Sequence, residues 1–106
     1  MVLMYLKLKN TERTFEVEAP IERTVKGAET VFWVITLKVK ELLTTEEIDE
    51  LFCAENTEEM TFVTPLPNGT EYEYVVSGYT KKVFSIIKHE NNECELQFSK
   101  EAAANA

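Results

Sequence analysis

The sequence predicts an α+β fold that is mostly β. We expect about seven strands in a mainly antiparallel twisted sheet or open barrel, with one short helix near 45–54. Three observations carry this. Apolar residues alternate with polar ones at period two in several segments. Turn-forming residues separate those segments, which favours sequential antiparallel hairpins. A single segment, Leu43 to Phe52, has helical spacing and a capping signature instead.

The first strand runs from Val2 to Lys9, with Val2, Met4, Leu6 and Leu8 sharing one parity. Met1 to Leu6 is apolar, but no basic segment precedes it and no small-residue cleavage site follows it. It therefore reads as a strand rather than a signal peptide. Asn10-Thr11-Glu12 supplies a turn. Thr14 to Ala19 returns as a second strand, with Phe15 and Val17 inward, and Pro20 ends it because proline lacks the ladder donor. Ile21 to Ala28 has no clear pattern, and Gly27 marks a turn or bulge.

Thr30 to Lys40 is the strongest strand. Val31, Trp33, Ile35, Leu37 and Val39 share one face, while Phe32 and Val34 occupy the other. That predicts a central strand whose first half is buried on both sides. In the helix, Thr44 at the N-cap puts Glu47 at the third helical position, which forms a capping box. Leu43 and Ile48 form the accompanying hydrophobic staple, and Ile48, Leu51 and Phe52 make one apolar stripe. The helix is expected to end between Cys53 and Asn56.

Glu59 to Thr64 is a strand with Met60 and Phe62 inward, and Asn68-Gly69 is a tight turn. Glu71 to Ser77 follows, and Gly78 breaks its path. Lys81 to His89 is a strand with apolar groups on both faces. After a hairpin loop, Cys94, Leu96 and Phe98 point inward from the last strand. Residues 1–100 read as a single domain, and 101–106 as a frayed tail.

Composition narrows function. The 106 residues hold 19 acids against 11 Lys plus Arg, a formal charge of -8. A sequence-independent nucleic-acid binder needs the opposite balance, so direct nucleic-acid binding is not expected. No segment approaches the roughly 20 apolar residues of a membrane span, so a membrane partner is not expected either. Cys53 and Cys94 match no redox or zinc spacing and read as free thiols of a cytoplasmic protein.

No nucleophile elbow, phosphate loop or paired-histidine metal motif is present. His89 is the only histidine and reads as an exposed side chain at a strand end. We therefore expect neither an enzyme nor a cofactor. An enzyme built on acidic groups is a lesser alternative.

Two surfaces remain as partner-binding candidates. One is acidic: Glu41 to Glu59 holds eight acids and no base, while the rest of the chain is balanced at eleven of each. Glu46, Glu47, Asp49 and Glu50 form its centre. They read either as a solvated helix face or as a patch that steers a basic partner or mimics nucleic acid. The other is aromatic. Tyr72, Tyr74 and Tyr79 lie close together and read either as cover for the sheet or as a contact surface.

The segments Leu43-Thr44-Thr45-Glu46-Glu47-Ile48-Asp49-Glu50-Leu51-Phe52, Met60-Thr61-Phe62, Ser77-Gly78-Tyr79-Thr80 and Leu96-Gln97-Phe98-Ser99-Lys100 resemble, in style and order, small proteins encoded in bacteriophage and prophage genomes. The resemblance spans roughly residues 43–100. It implies a virion-associated or accessory protein that acts by binding, without a cofactor, in the host cytoplasm or the virion. The expected function is thus a non-enzymatic interaction module working through self-association or a protein partner. The alternative is an acidic inhibitor that blocks a basic groove of a host nucleic-acid-binding protein.

Overall fold

The computed structural model of the protein describes residues 3–88 and 90–102. Its elements in order are β1 (Leu3–Leu8), β2 (Thr14–Glu18), β3 (Ile21–Lys26), β4 (Val31–Val39), α1 (Thr45–Leu51), α2 (Ala54–Thr57), β5 (Glu59–Pro65), β6 (Glu71–Ser77), β7 (Lys81–Lys88) and β8 (Glu93–Glu101). The strands form one eight-stranded sheet in the order β6-β5-β1-β2-β4-β8-β7, with β3 added alongside β4. Every pairing is antiparallel. The predicted α+β, mostly β class is what the chain adopts.

The alternating apolar parity becomes one buried face. Leu6 and Leu8 of β1 lie within it, opposite Phe62 and Met60 of β5, and on the other side of β1 so do Phe15 and Val17 of β2. Ile35, Leu37 and Val39 of β4 join Cys94, Leu96 and Phe98 of β8. The helical segment packs on this face. Its Phe52 ring lies 5.2 Å from Phe15 and 6.1 Å from Phe98, centroid to centroid, and so joins β2 to β8. Each such fully buried side chain stabilises the fold by about 1.5–3 kcal/mol relative to an exposed one.

Four expectations need correction. The first concerns strand number. Ile21–Lys26 forms an eighth strand, paired with β4 from Ile21↔Thr36 to Lys26↔Val31. Glu22 is its only residue that is not exposed, so no period-two signal marks it. Its register with β4 makes it a strand.

The second concerns β4. Its first half is not buried on both sides: Val31 and Trp33 remain 41% and 37% exposed. Its neighbours there are β8 on one side and the exposed strand β3 on the other, whereas β2 meets β4 only at Val17↔Val39. Third, the single helix near 45–54 is two short ones. Phe52 leaves helical conformation at φ -99 and ψ 45 as its ring enters the core, and Cys53 is extended before α2 begins. Fourth, Glu101 is not frayed. It pairs with Phe32, and the Ala102 amide donates to the Val31 carbonyl at 2.9 Å. Residues 103–106 of the expected tail lie outside the described residues.

The two ends of the strand order, β6 and β7, are consecutive in the chain and are joined by only Gly78, Tyr79 and Thr80. Gly78 turns this corner at φ +86, a conformation that favours glycine. No helix among the described residues is long and apolar enough to cross a membrane.

Candidate functional site

The acidic helix is held by its own capping chemistry. The Thr44 side chain accepts from the Glu47 amide at 3.1 Å, and the Glu47 carboxylate accepts from the Thr44 amide at 3.0 Å. That bond, reinforced by Arg13, holds the Glu47 carboxyl below the usual glutamate range.

Folding also brings bases to this segment that are distant in sequence. Arg13 binds Glu41 and approaches Glu47 at 3.7 Å. Lys82 binds Asp49 at 2.6 Å, and Lys9 lies 3.4 Å from Glu58. The four acids at the centre of the candidate patch therefore divide. Glu47 and Asp49 are engaged within the protein. Glu46 and Glu50 are exposed, with no ion pair among the described residues.

The three tyrosines divide as well. Tyr72 and Tyr74 lie on β6 with Val76, opposite Thr64, Phe62 and Met60 of β5. They share the parity of the core but project past it, and remain 57% and 41% exposed. Tyr79 is not a surface residue: its exposure is 0%. The corner at Gly78 turns its ring inward, with the Lys100 ammonium 4.6 Å from the ring centroid. As a contact residue it is corrected to a core residue.

A residue that the sequence did not single out organises this region. Glu22 of β3 accepts hydrogen bonds from the hydroxyls of both Tyr74 and Tyr79, the latter at 2.7 Å. Burial and the Glu22 bond push the Tyr79 hydroxyl pKa upward, and the bond to Glu22 does the same for Tyr74. A lone glutamate in an unpatterned segment gives no sequence signal for this role.

Exposed apolar residues continue along the two strands that end the sheet order, as they do along β3 at Ile21 and Val25. On β6 they include Val75 at 52%, and on β7 Val83 at 53% and Phe84 at 50%. β6 pairs only with β5 and β7 only with β8 among the described residues, so each presents unpaired backbone groups. A cleft of about 260 Å³ beside Phe32, Thr80 and Lys81 is just below the usual ligand-pocket range of roughly 300–1,000 Å³.

No family model matches this chain, and no curated protein or solved structure matches it.

The thiols differ. Cys94 is buried and accepts from the Leu43 amide at 3.1 Å, and burial pushes its pKa up. Cys53 is partly exposed. His89 lies outside the described residues.

Proposed function

We propose that this chain is a non-enzymatic interaction module whose contacts are made by the free strands β6 and β7. One observation carries this reading. Tyr72, Tyr74, Val75, Val83 and Phe84 are all exposed and all lie on the two strands that end the sheet order, whereas β3, which also pairs with one strand only among the described residues, exposes Ile21 and Val25 but no aromatic residue. An aromatic and aliphatic surface beside free backbone donors and acceptors suits an added strand, which supplies ladder hydrogen bonds and buries side chains together. The resemblance of residues 43–100 to small bacteriophage and prophage proteins is in keeping with an accessory or virion-associated role.

The experiment combines sedimentation velocity across protein concentration with affinity capture from a lysate of the source cells. Tyr72→Ser with Val75→Ser, and separately Phe84→Ser, should abolish whatever association or capture the unaltered chain shows. Association and capture unchanged in both variants would overturn the reading.

The second reading, an acidic decoy for a basic groove, is favoured only by the exposed Glu46 and Glu50. Reversing both to Lys should abolish binding to a basic partner on that reading, and should leave it intact on the first.

A further inference from the structure

We infer that the partner of β7 is β6 of a second copy of this chain. The inference rests on the reading that β6 and β7 are the contact strands, and it commits that reading to one occupant.

Charge complementarity argues for it. β6 carries Glu71 and Glu73 and no base, whereas β7 carries Lys81, Lys82 and Lys88 and no acid; Lys82 is engaged by Asp49, and Lys88 is the base in the half of β7 that continues past the irregularity. Charged side chains on an edge discourage pairing with a like edge. Here the two edges of one molecule have opposite sign. Each disfavours its own kind and favours the other.

The registers agree. On β7, Phe84, Ile86 and Lys88 lie opposite Gln97, Glu95 and Glu93, while Ser85 and Ile87 lie opposite the core residues Leu96 and Cys94. On β6, Tyr72 and Tyr74 share the core parity of Val76, and Glu71, Glu73 and Val75 point the other way. Laid antiparallel, with Glu71 opposite Lys88, the strands place Val75 opposite Phe84 and Tyr72 opposite Ile87. Every pair then falls on matching faces, and Glu73 lies diagonal to Lys88, within reach of a long side chain. The irregularity between Lys82 and Phe84 limits the ladder to the second half of β7.

Such a contact is head-to-tail. Each copy uses β6 at one side and β7 at the other, so assembly proceeds to a closed ring or an open chain.

The test uses two variants, Glu71→Lys with Glu73→Lys, and Lys88→Glu, both at exposed or half-exposed positions. Circular dichroism and thermal melting confirm their folding. Glu71→Gln with Glu73→Gln, and Lys88→Gln, serve as milder substitutes if a reversal unfolds the chain. By sedimentation velocity, each reversal alone should associate roughly tenfold more weakly than the unaltered chain. An equimolar mixture of the two reversals should associate again, because each supplies the charge the other needs. Rising salt should weaken association of the unaltered chain.

Undiminished association of either reversal, or a mixture no stronger than its components, would overturn the proposal. So would an unaltered chain that stays monomeric at every concentration. If that monomer still captures a partner that Phe84→Ser loses, the contact strands stand and the second copy does not.

Discussion

Tyr79 donates its hydroxyl to Glu22 at 2.7 Å, joining residues 57 positions apart in the chain. The same carboxylate binds Tyr74, so one side chain of β3 holds both β6 and the corner that leads to β7. Tyr79→Phe should destabilise the protein by about 1–3 kcal/mol, because the bond is to a charged acceptor and its donor is buried. Tyr74→Phe should cost less, because the residue is 41% exposed and water can replace the bond. Urea unfolding of the two variants checks the order; a larger loss for Tyr74→Phe would contradict it.

The reciprocal bonds between Thr44 and Glu47 give a second expectation. Thr44→Ala removes the side-chain acceptor of the capping box and should cost about 1 kcal/mol in chemical denaturation. Thr44→Asn should retain most of it. Equal losses for Ala and Asn would mean that the cap contributes through packing rather than hydrogen bonding.

Acid should weaken the fold through two named carboxylates. Glu47 and Glu93 are held below the ordinary value of 4.5, the first by the Thr44 amide and the second by the Lys40 ammonium. A group with a depressed folded pKa adds stability above its unfolded value. That stability is lost as pH falls through the folded value. The urea midpoint should therefore drop as pH is lowered from about 5 towards 3. Glu47→Gln with Glu93→Gln should show a shallower drop; an unchanged slope would remove these two groups as its source.

The thiols should be separable by alkylation. Cys94 is fully buried and its raised pKa disfavours the reactive thiolate, whereas Cys53 is partly exposed. Iodoacetamide on the folded protein should label Cys53 first, and both should react once the chain is unfolded. Intact-mass and peptide analysis reads the result, and equal native rates would contradict the burial of Cys94.

Phe52 lies between Phe15 and Phe98, so Phe52→Ala should cost about 3–5 kcal/mol. Near-ultraviolet circular dichroism and urea unfolding report it. A loss below about 1 kcal/mol would mean that the helix-to-sheet contact can collapse without it.

Local chemistry was legible in the sequence wherever it was complete within a few residues. The Thr44 cap, the Asn68-Gly69 turn and the period-two core faces of β1, β2 and β8 belong to this class. In the turn, Gly69 adopts φ +89 and Asn68 accepts from the Thr70 amide. What depended on distant partners was not legible. β3 is a strand because β4 lies beside it, and Phe52 breaks the helix because the core draws its ring inward. Trp33 shares the parity of Ile35 but escapes burial, because one of the two strands beside it, β3, is an exposed edge. Among the candidate site residues, Tyr79 was misplaced for the same reason. Its proximity to Tyr72 and Tyr74 in sequence could not reveal that Gly78 turns the chain between them.

The placement of β8 between β4 and β7 has a consequence for synthesis. β4 is the most apolar strand, and its partner on one side, β8, is made only after α1, α2, β5, β6 and β7. At typical elongation rates the interval between Val39 and Glu101 lasts on the order of several seconds. Throughout it, the nascent chain holds a long hydrophobic strand with an unfilled side. This protein should therefore engage ribosome-associated chaperones more strongly than its small size alone would suggest.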